Sequence, residues 1–270
     1  MNRIEACFAE LRRHGGKALI PYITAGDPDG PTTVRLALEF EKRGADLVEL
    51  GVPFSDPLAD GTTIQRASQR ALEGGTTLRA VLGWAGQIRQ ASQIPLVLMS
   101  YVNPLLMMGA GAFAAAAREA GVDGLIVPDL PPEEAGELLA ANDAAGVATI
   151  FLAAPTSPPE RLRLIAEASR GYIYYVSLKG VTGARAALPG GVRDAVRTLR
   201  ALTAKPVAVG FGIATPEQAA EVAAVADGVI VGSAIVDQVE RLRGRADLVE
   251  QVGVFVEGFV RALRLAPPVA

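Results

Sequence analysis

Leu47-Val48-Glu49-Leu50-Gly51 is an apolar run with one carboxylate at its centre. A continuous apolar run of this length reads as a parallel strand covered on both faces. A charge there costs several kcal/mol unless it is paired or its pKa moves. The loop Val52-Pro53-Phe54-Ser55-Asp56-Pro57-Leu58-Ala59 follows, and a second acid, Asp60, closes it. One carboxylate at a strand end and another on the loop above it is the arrangement of an acid–base site.

Outward from this strand, similar runs recur at 18–23, 96–100, 124–127, 149–152, 173–177, 207–211 and 229–231. Ala-, Leu- and Glu-rich segments with helical spacing separate them. Pro31-Thr32-Thr33 and Thr215-Pro216-Glu217-Gln218 read as helix starts, with Thr215 as N-cap and Pro216 in the first turn. About eight strands alternating with helices predict an α/β fold, a closed (β/α)8 TIM barrel. An open doubly wound sheet is the alternative. It wants a Gly-rich fingerprint after the first strand, and Ile20-Pro21-Tyr22-Ile23-Thr24-Ala25-Gly26 is not that pattern. An extra N-terminal helix is expected over 3–13. Residues 62–91, after the second strand, are long enough for two helices split near Gly74-Gly75. No linker interrupts the chain, so residues 1–270 read as a single domain, with the tail 267–270 expected to fray.

Composition removes several function classes. Net charge is −3, with acids and bases interspersed and half of the 270 residues apolar. No basic stripe or aromatic interleaving suits nucleic acid or an anionic membrane. Cys7 is the only cysteine and His14 the only histidine. Disulfide frameworks, Ser-His or Cys-His nucleophiles and His- or Cys-based metal sites are therefore not expected. No stretch is long enough to span a bilayer, and the N-terminus lacks a signal-peptide h-region, so a soluble cytoplasmic protein is expected.

In such barrels the site lies at the C-terminal ends of the strands. Those ends offer Glu49 and Asp60, then Tyr101-Val102-Asn103-Pro104, Pro128-Asp129, Tyr174 with Gly180-Val181-Thr182-Gly183, Gly210-Phe211-Gly212 and Gly232-Ser233. The last three Gly-rich turns together suggest a phosphate cradle, because Gly admits an anion to free N–H groups at a helix start. Each feature has a plainer reading. Glu49 could be paired with an arginine, Asp60 could cap a helix, and Tyr174 could be core. Lys179 could form a Schiff base, although its loop context favours an exposed lysine.

With these residues in hand, the chain resembles the tryptophan synthase alpha subunit family. The block Leu47 to Gly61 carries most of the likeness. Pro21-Tyr22-Ile23-Thr24-Ala25-Gly26-Asp27-Pro28, Tyr101-Val102-Asn103-Pro104, Gly180-Val181-Thr182-Gly183, Gly210-Phe211-Gly212-Ile213 and Gly232-Ser233-Ala234 follow in family order. Thr62 departs from the Pro that the family often has there. The resemblance implies retro-aldol cleavage of indole-3-glycerol phosphate to indole and glyceraldehyde 3-phosphate. It implies acid–base work by Glu49 and a hydrogen bond from the indole N–H to Asp60. Tyr22, Ile64, Tyr174 and Phe211 would line the indole pocket, with Tyr101 and Thr182 also facing substrate. Gly183, Gly212, Gly232 and Ser233 would hold the phosphate. No metal or cofactor is implied in this chain. The implied partner is a pyridoxal-phosphate-containing beta subunit in an alpha2beta2 tetramer, met by Pro53, Asp56, Pro57, Asn103 and Pro104. Loop 178–190 is the expected mobile cover. A Schiff-base aldolase using Lys179 and a non-catalytic regulatory subunit are the competing readings.

Overall fold

The computed structural model describes residues 2–176, 191–210 and 212–265. Its strands are β1 (Ala18–Thr24), β2 (Val48–Gly51), β3 (Leu96–Met99), β4 (Gly124–Ile126), β5 (Ala148–Ile150), β6 (Leu152–Ala153), β7 (Ile173–Val176), β8 (Val207–Gly210) and β9 (Gly228–Val231). They form one sheet in the order β5-β4-β3-β2-β1-β9-β8-β7-β6. Every pairing is parallel. The two ends of that order, β5 and β6, are separated in the chain by Phe151 alone. The sheet therefore curls round until its ends meet, as the barrel expectation required. The expected fifth strand is split there because the Phe151 N–H donates to Ser169 Oγ (3.3 Å), while its carbonyl still accepts from Tyr174 (3.2 Å).

The described helices are α1 (Arg3–Arg13), α2 (Gly30–Lys42), α3 (Thr62–Glu73), α4 (Leu78–Ala91), α5 (Val102–Met108), α6 (Ala110–Glu119), α7 (Gly136–Ala145), α8 (Pro159–Ala168), α9 (Val192–Leu202), α10 (Pro216–Ala223), α11 (Ser233–Arg241) and α12 (Leu248–Leu265). The expected leading helix and the pair after β2 are present as α1, α3 and α4. Local chemistry sets their ends. Asn2 and Glu5 form a capping box on α1, and Thr215 and Gln218 form another on α10. Gly61, not Asp60, occupies the N-cap of α3, with no side-chain cap, so the capping reading of Asp60 fails. Val102–Met108 and Ala110–Glu119 are separate helices because Gly109 takes φ +84°, a left-handed conformation open to glycine.

Strand periodicity sorts the core into two layers. Leu19, Ile23, Val48, Leu50, Leu96 and Leu98 face outward and pack under the helices. Ile20, Leu47, Val97, Ile126, Ile150, Ala208 and Ile230 face the barrel interior. Helix α1 closes the barrel floor with Ile4 and Phe8, and the Phe8 ring lies 5.6 Å from that of Tyr172. Each such side chain, fully buried, contributes about 1.5–3 kcal/mol. Because Val48 and Leu50 point out, Glu49 between them points in.

Acids at the strand starts repeat one device. Asp46, Asp123 and Asp227 accept the main-chain N–H groups of Leu19, Leu96 and Val207 at 2.8, 2.9 and 2.9 Å. These bonds satisfy donors at the bottom of the barrel and leave the opposite rim for chemistry. No described helix is long and apolar enough to cross a membrane.

Candidate active site

Glu49 is 0% exposed. Its Oε1 accepts a 2.7 Å hydrogen bond from the Tyr172 hydroxyl. Its Oε2 has no hydrogen-bond partner among the described residues. Burial lifts the carboxyl from an ordinary 4.5 to about 8, opposed by the Tyr172 hydrogen bond. Among the described residues no arginine pairs with it, and the hydrogen bond that Glu49 does accept comes from a neutral hydroxyl. The group is protonated at neutral pH and stays within reach of its carboxylate form, as a proton donor and acceptor must be.

The strand register places Tyr22 of β1 directly beside Glu49. Burial pushes the Tyr22 hydroxyl pKa up, and the nearby Asp60 charge adds to it. Tyr174 is also buried, and its pKa is raised first by burial and then by the charges of Glu49, Tyr22 and Asp60. Glu49, Asp60, Tyr22 and Tyr174 therefore share one electrostatic neighbourhood. Two glycines make room for the rings. A Cβ on Gly51 would lie 2.0 Å from the Tyr22 hydroxyl oxygen, and one on Gly210 would lie 2.5 Å from that of Tyr174.

Asp60 is half-buried, and burial raises its pKa while a hydrogen bond with Tyr101 opposes the rise. Tyr101 is 4% exposed, accepts the Ala59 N–H at 3.0 Å and stacks on Phe54 with ring centroids 5.3 Å apart. It thus fixes both ends of the loop that leads to Asp60. Ile64, on the first turn of α3, is buried against Tyr22, Ala67 and Val236.

On the far side, Gly232 is the N-cap of α11 and offers no side-chain cap. Ile235 and Val236 donate to the Gly232 carbonyl at 2.8 and 3.1 Å, so the N–H groups that open the helix are those of Ser233 and Ala234, where the helix carries partial positive charge. Gly232 packs against the Tyr22 ring, its virtual Cβ 3.5 Å away. Gly212 is exposed at φ +76°. Of the outer residues, Asp56 and Asn103 are exposed, Pro57 and Pro104 half-buried, and Pro53 buried. Thr182, Gly183, Phe211, Lys179 and the whole of loop 178–190 lie outside the described residues.

Tyr172 was not among the candidates from sequence. The signal available was the spacing of Tyr172 and Tyr174, two apart, which puts both rings on the inner face. Among the described residues, no group of three or more His, Cys, Asp or Glu is placed to hold a metal ion.

A parallel (β/α) barrel with a buried, proton-holding carboxyl beside a second acid at the strand ends defines an acid–base enzyme of the TIM-barrel class. The chain belongs to the tryptophan synthase alpha chain family, whose model matches residues 8–264. A tryptophan synthase alpha chain from a Geobacter species is 53% identical over 264 residues, covering 98% of this chain and 97% of that one. One from an Azoarcus species is 52% identical over 270 residues, covering 100% and 99%. A crystal structure of the Legionella pneumophila alpha chain superposes with TM-score 0.89 at 40% identity, covering 98% of each chain. A structure of Mycobacterium tuberculosis tryptophan synthase gives 0.89 at 39% identity, covering 98% and 99%. The chain is accordingly a lyase of tryptophan biosynthesis that cleaves indole-3-glycerol phosphate to indole and glyceraldehyde 3-phosphate. The family carries out this half-reaction without a cofactor.

Proposed function

We propose that Glu49 is the proton shuttle of the cleavage and Asp60 its electrostatic partner. The observation that carries this is a carboxyl wholly buried in the barrel, with one oxygen unpartnered among the described residues and a pKa of about 8. Protonated Glu49 gives its proton to the indole ring carbon that bears the side chain. The ring becomes cationic, and Asp60 accepts the indole N–H and offsets the charge. The adjacent side-chain hydroxyl then loses its proton to the Glu49 carboxylate. The carbon–carbon bond breaks, its electron pair restores the aromatic ring, and the oxygen becomes the aldehyde of glyceraldehyde 3-phosphate. Glu49 ends the cycle protonated, as it began.

Tyr22, Ile64, Tyr174 and Phe211 line the indole pocket, with Tyr101 and Thr182 beside them. Gly183, Gly212, Gly232 and Ser233 hold the phosphate through main-chain N–H groups. The uncapped N-terminus of α11 supports this assignment. Residues 1–270 form a single domain, and the protein works in the cytoplasm.

The partner is a pyridoxal-phosphate-containing beta subunit in an alpha2beta2 tetramer, reached through Pro53, Asp56, Pro57, Asn103 and Pro104. Leu58, Leu106 and Met107 beside them are 83%, 65% and 89% exposed, an unusual apolar display that favours a protein partner. Co-purification with the beta subunit tests this surface, and no complex at micromolar concentrations would remove it.

Glu49→Gln keeps the shape of the side chain. It is expected to fold normally and to lose indole release from indole-3-glycerol phosphate. Near wild-type turnover in this variant excludes Glu49 from the mechanism. Borohydride trapping with substrate, followed by peptide mass analysis, is expected to leave Lys179 unlabelled.

A further inference from the structure

Asp27, in the loop after β1, is 3% exposed. Arg70 on α3 grips it with two bonds, Nε to Oδ1 at 2.9 Å and Nη2 to Oδ2 at 2.6 Å. The remaining arm of the same guanidinium, Nη1, donates to Glu240 Oε1 on α11 at 2.8 Å. Arg66, one turn earlier on α3, reaches Glu240 as well, Nη2 to Oε2 at 2.8 Å. Beside this network Tyr22, Ile64, Ala67 and Val236 pack together. The Asp27 loop is itself wedged in place. Gly26 sits at φ +87° with its N–H on Thr33 Oγ1 (2.9 Å), and a Cβ there would lie 2.0 Å from Thr76 Oγ1.

We propose that Arg70 is a positioning residue of the lyase site, holding α3 and α11 at a fixed offset through Asp27 and Glu240. The proposal rests on the reading that Asp60 meets the indole end of the substrate and Gly232-Ser233 the phosphate end. Helix α3 starts two residues after Asp60, and α11 starts at Ser233. The offset of the two helices therefore sets the distance between the groups that grip the two ends. A basic residue in the last turn of a helix is an ordinary partner for its C-terminal carbonyls. That role needs neither a buried carboxylate nor a bridge to a second helix. The buried Asp27 charge makes its partner obligatory. Three donors at fixed angles on two acids need the planar guanidinium, which lysine cannot reproduce.

The test compares Arg70→Lys and Glu240→Gln in the full chain, reading kcat and KM for indole-3-glycerol phosphate, Kd for inorganic phosphate, and the thermal melt. Glu240→Gln leaves the Asp27–Arg70 grip intact and is expected to melt as wild type. It is expected to raise KM and the phosphate Kd by about tenfold with little change in kcat, since it loosens only the phosphate-bearing helix. Arg70→Lys is expected to lower kcat/KM by about a hundredfold through both constants. If Arg70→Lys fails to fold, Glu240→Gln alone decides. A folded Glu240→Gln with wild-type KM and phosphate Kd, in an enzyme that Glu49→Gln inactivates, overturns the positioning role. Full activity in Glu49→Gln overturns the active-site reading beneath it instead.

Discussion

Replacing Glu49 by Gln should change how stability depends on pH, and the size of the change follows from burial. The folded state moves this carboxyl from 4.5 to about 8. At about 1.4 kcal/mol per pKa unit, that difference is worth about 5 kcal/mol. The folded chain binds the proton more tightly than the unfolded chain does. Below pH 4.5 both states hold it and nothing is lost. As pH rises from 4.5 to about 8 the unfolded state ionises first, and wild-type stability drains away. Gln does not titrate, so the variant escapes this loss. Other shifted groups cancel in the comparison, including Asp46, which burial lifts to about 6. Urea unfolding of both proteins at pH 5 and pH 9 gives the result directly. The stability of Glu49→Gln relative to wild type should rise by about 4 kcal/mol between those pH values, large against a typical total of about 5–15 kcal/mol. Parallel pH curves for the two proteins would refute the claim that Glu49 is buried as a neutral acid.

Tyr172→Phe removes the only hydrogen bond to Glu49 that the described residues supply, so its pKa should climb further and the pH–rate profile should shift upward. The same variant should lose about 1–3 kcal/mol of stability in urea melts. Asp60→Asn should lower kcat by about a hundredfold, because the cationic ring loses its counter-charge. Its affinity for inorganic phosphate, measured by titration, should not change. Gly51→Ala places a Cβ 2.0 Å from the Tyr22 hydroxyl and should force that ring out of the pocket. A raised KM in a folded variant is the expected outcome, and an unchanged KM would remove Tyr22 from the substrate pocket.

Much of the fold was legible because parallel strands buried on both faces leave continuous apolar runs. The run around Glu49 and the Thr215-Pro216 helix start fall where the sequence places them. The split at Phe151 was not legible, because it depends on Ser169, distant in the chain, taking one strand N–H. Glu49 was legible as a candidate site residue because a carboxylate within an apolar strand has few structural excuses, and Asp60 because it closes the loop that follows that strand. Tyr172, the donor to Glu49, reads from sequence as one more aromatic at a strand start. The Arg70 network was also hidden, since Asp27, Arg70 and Glu240 meet only once the barrel has closed. Thr182, Gly183, Phe211 and Lys179, which the sequence also singles out, lie outside the described residues.

The protonation state of Glu49 itself is the point on which the mechanism turns. Infrared difference spectra between wild type and Glu49→Gln, recorded from pH 5 to pH 10, isolate the carbonyl stretch of this one side chain. A protonated-acid band that persists through neutral pH and is half lost near pH 8 is the predicted result. A carboxylate band already complete at pH 6 would contradict it, leaving no proton on this group to start the cleavage.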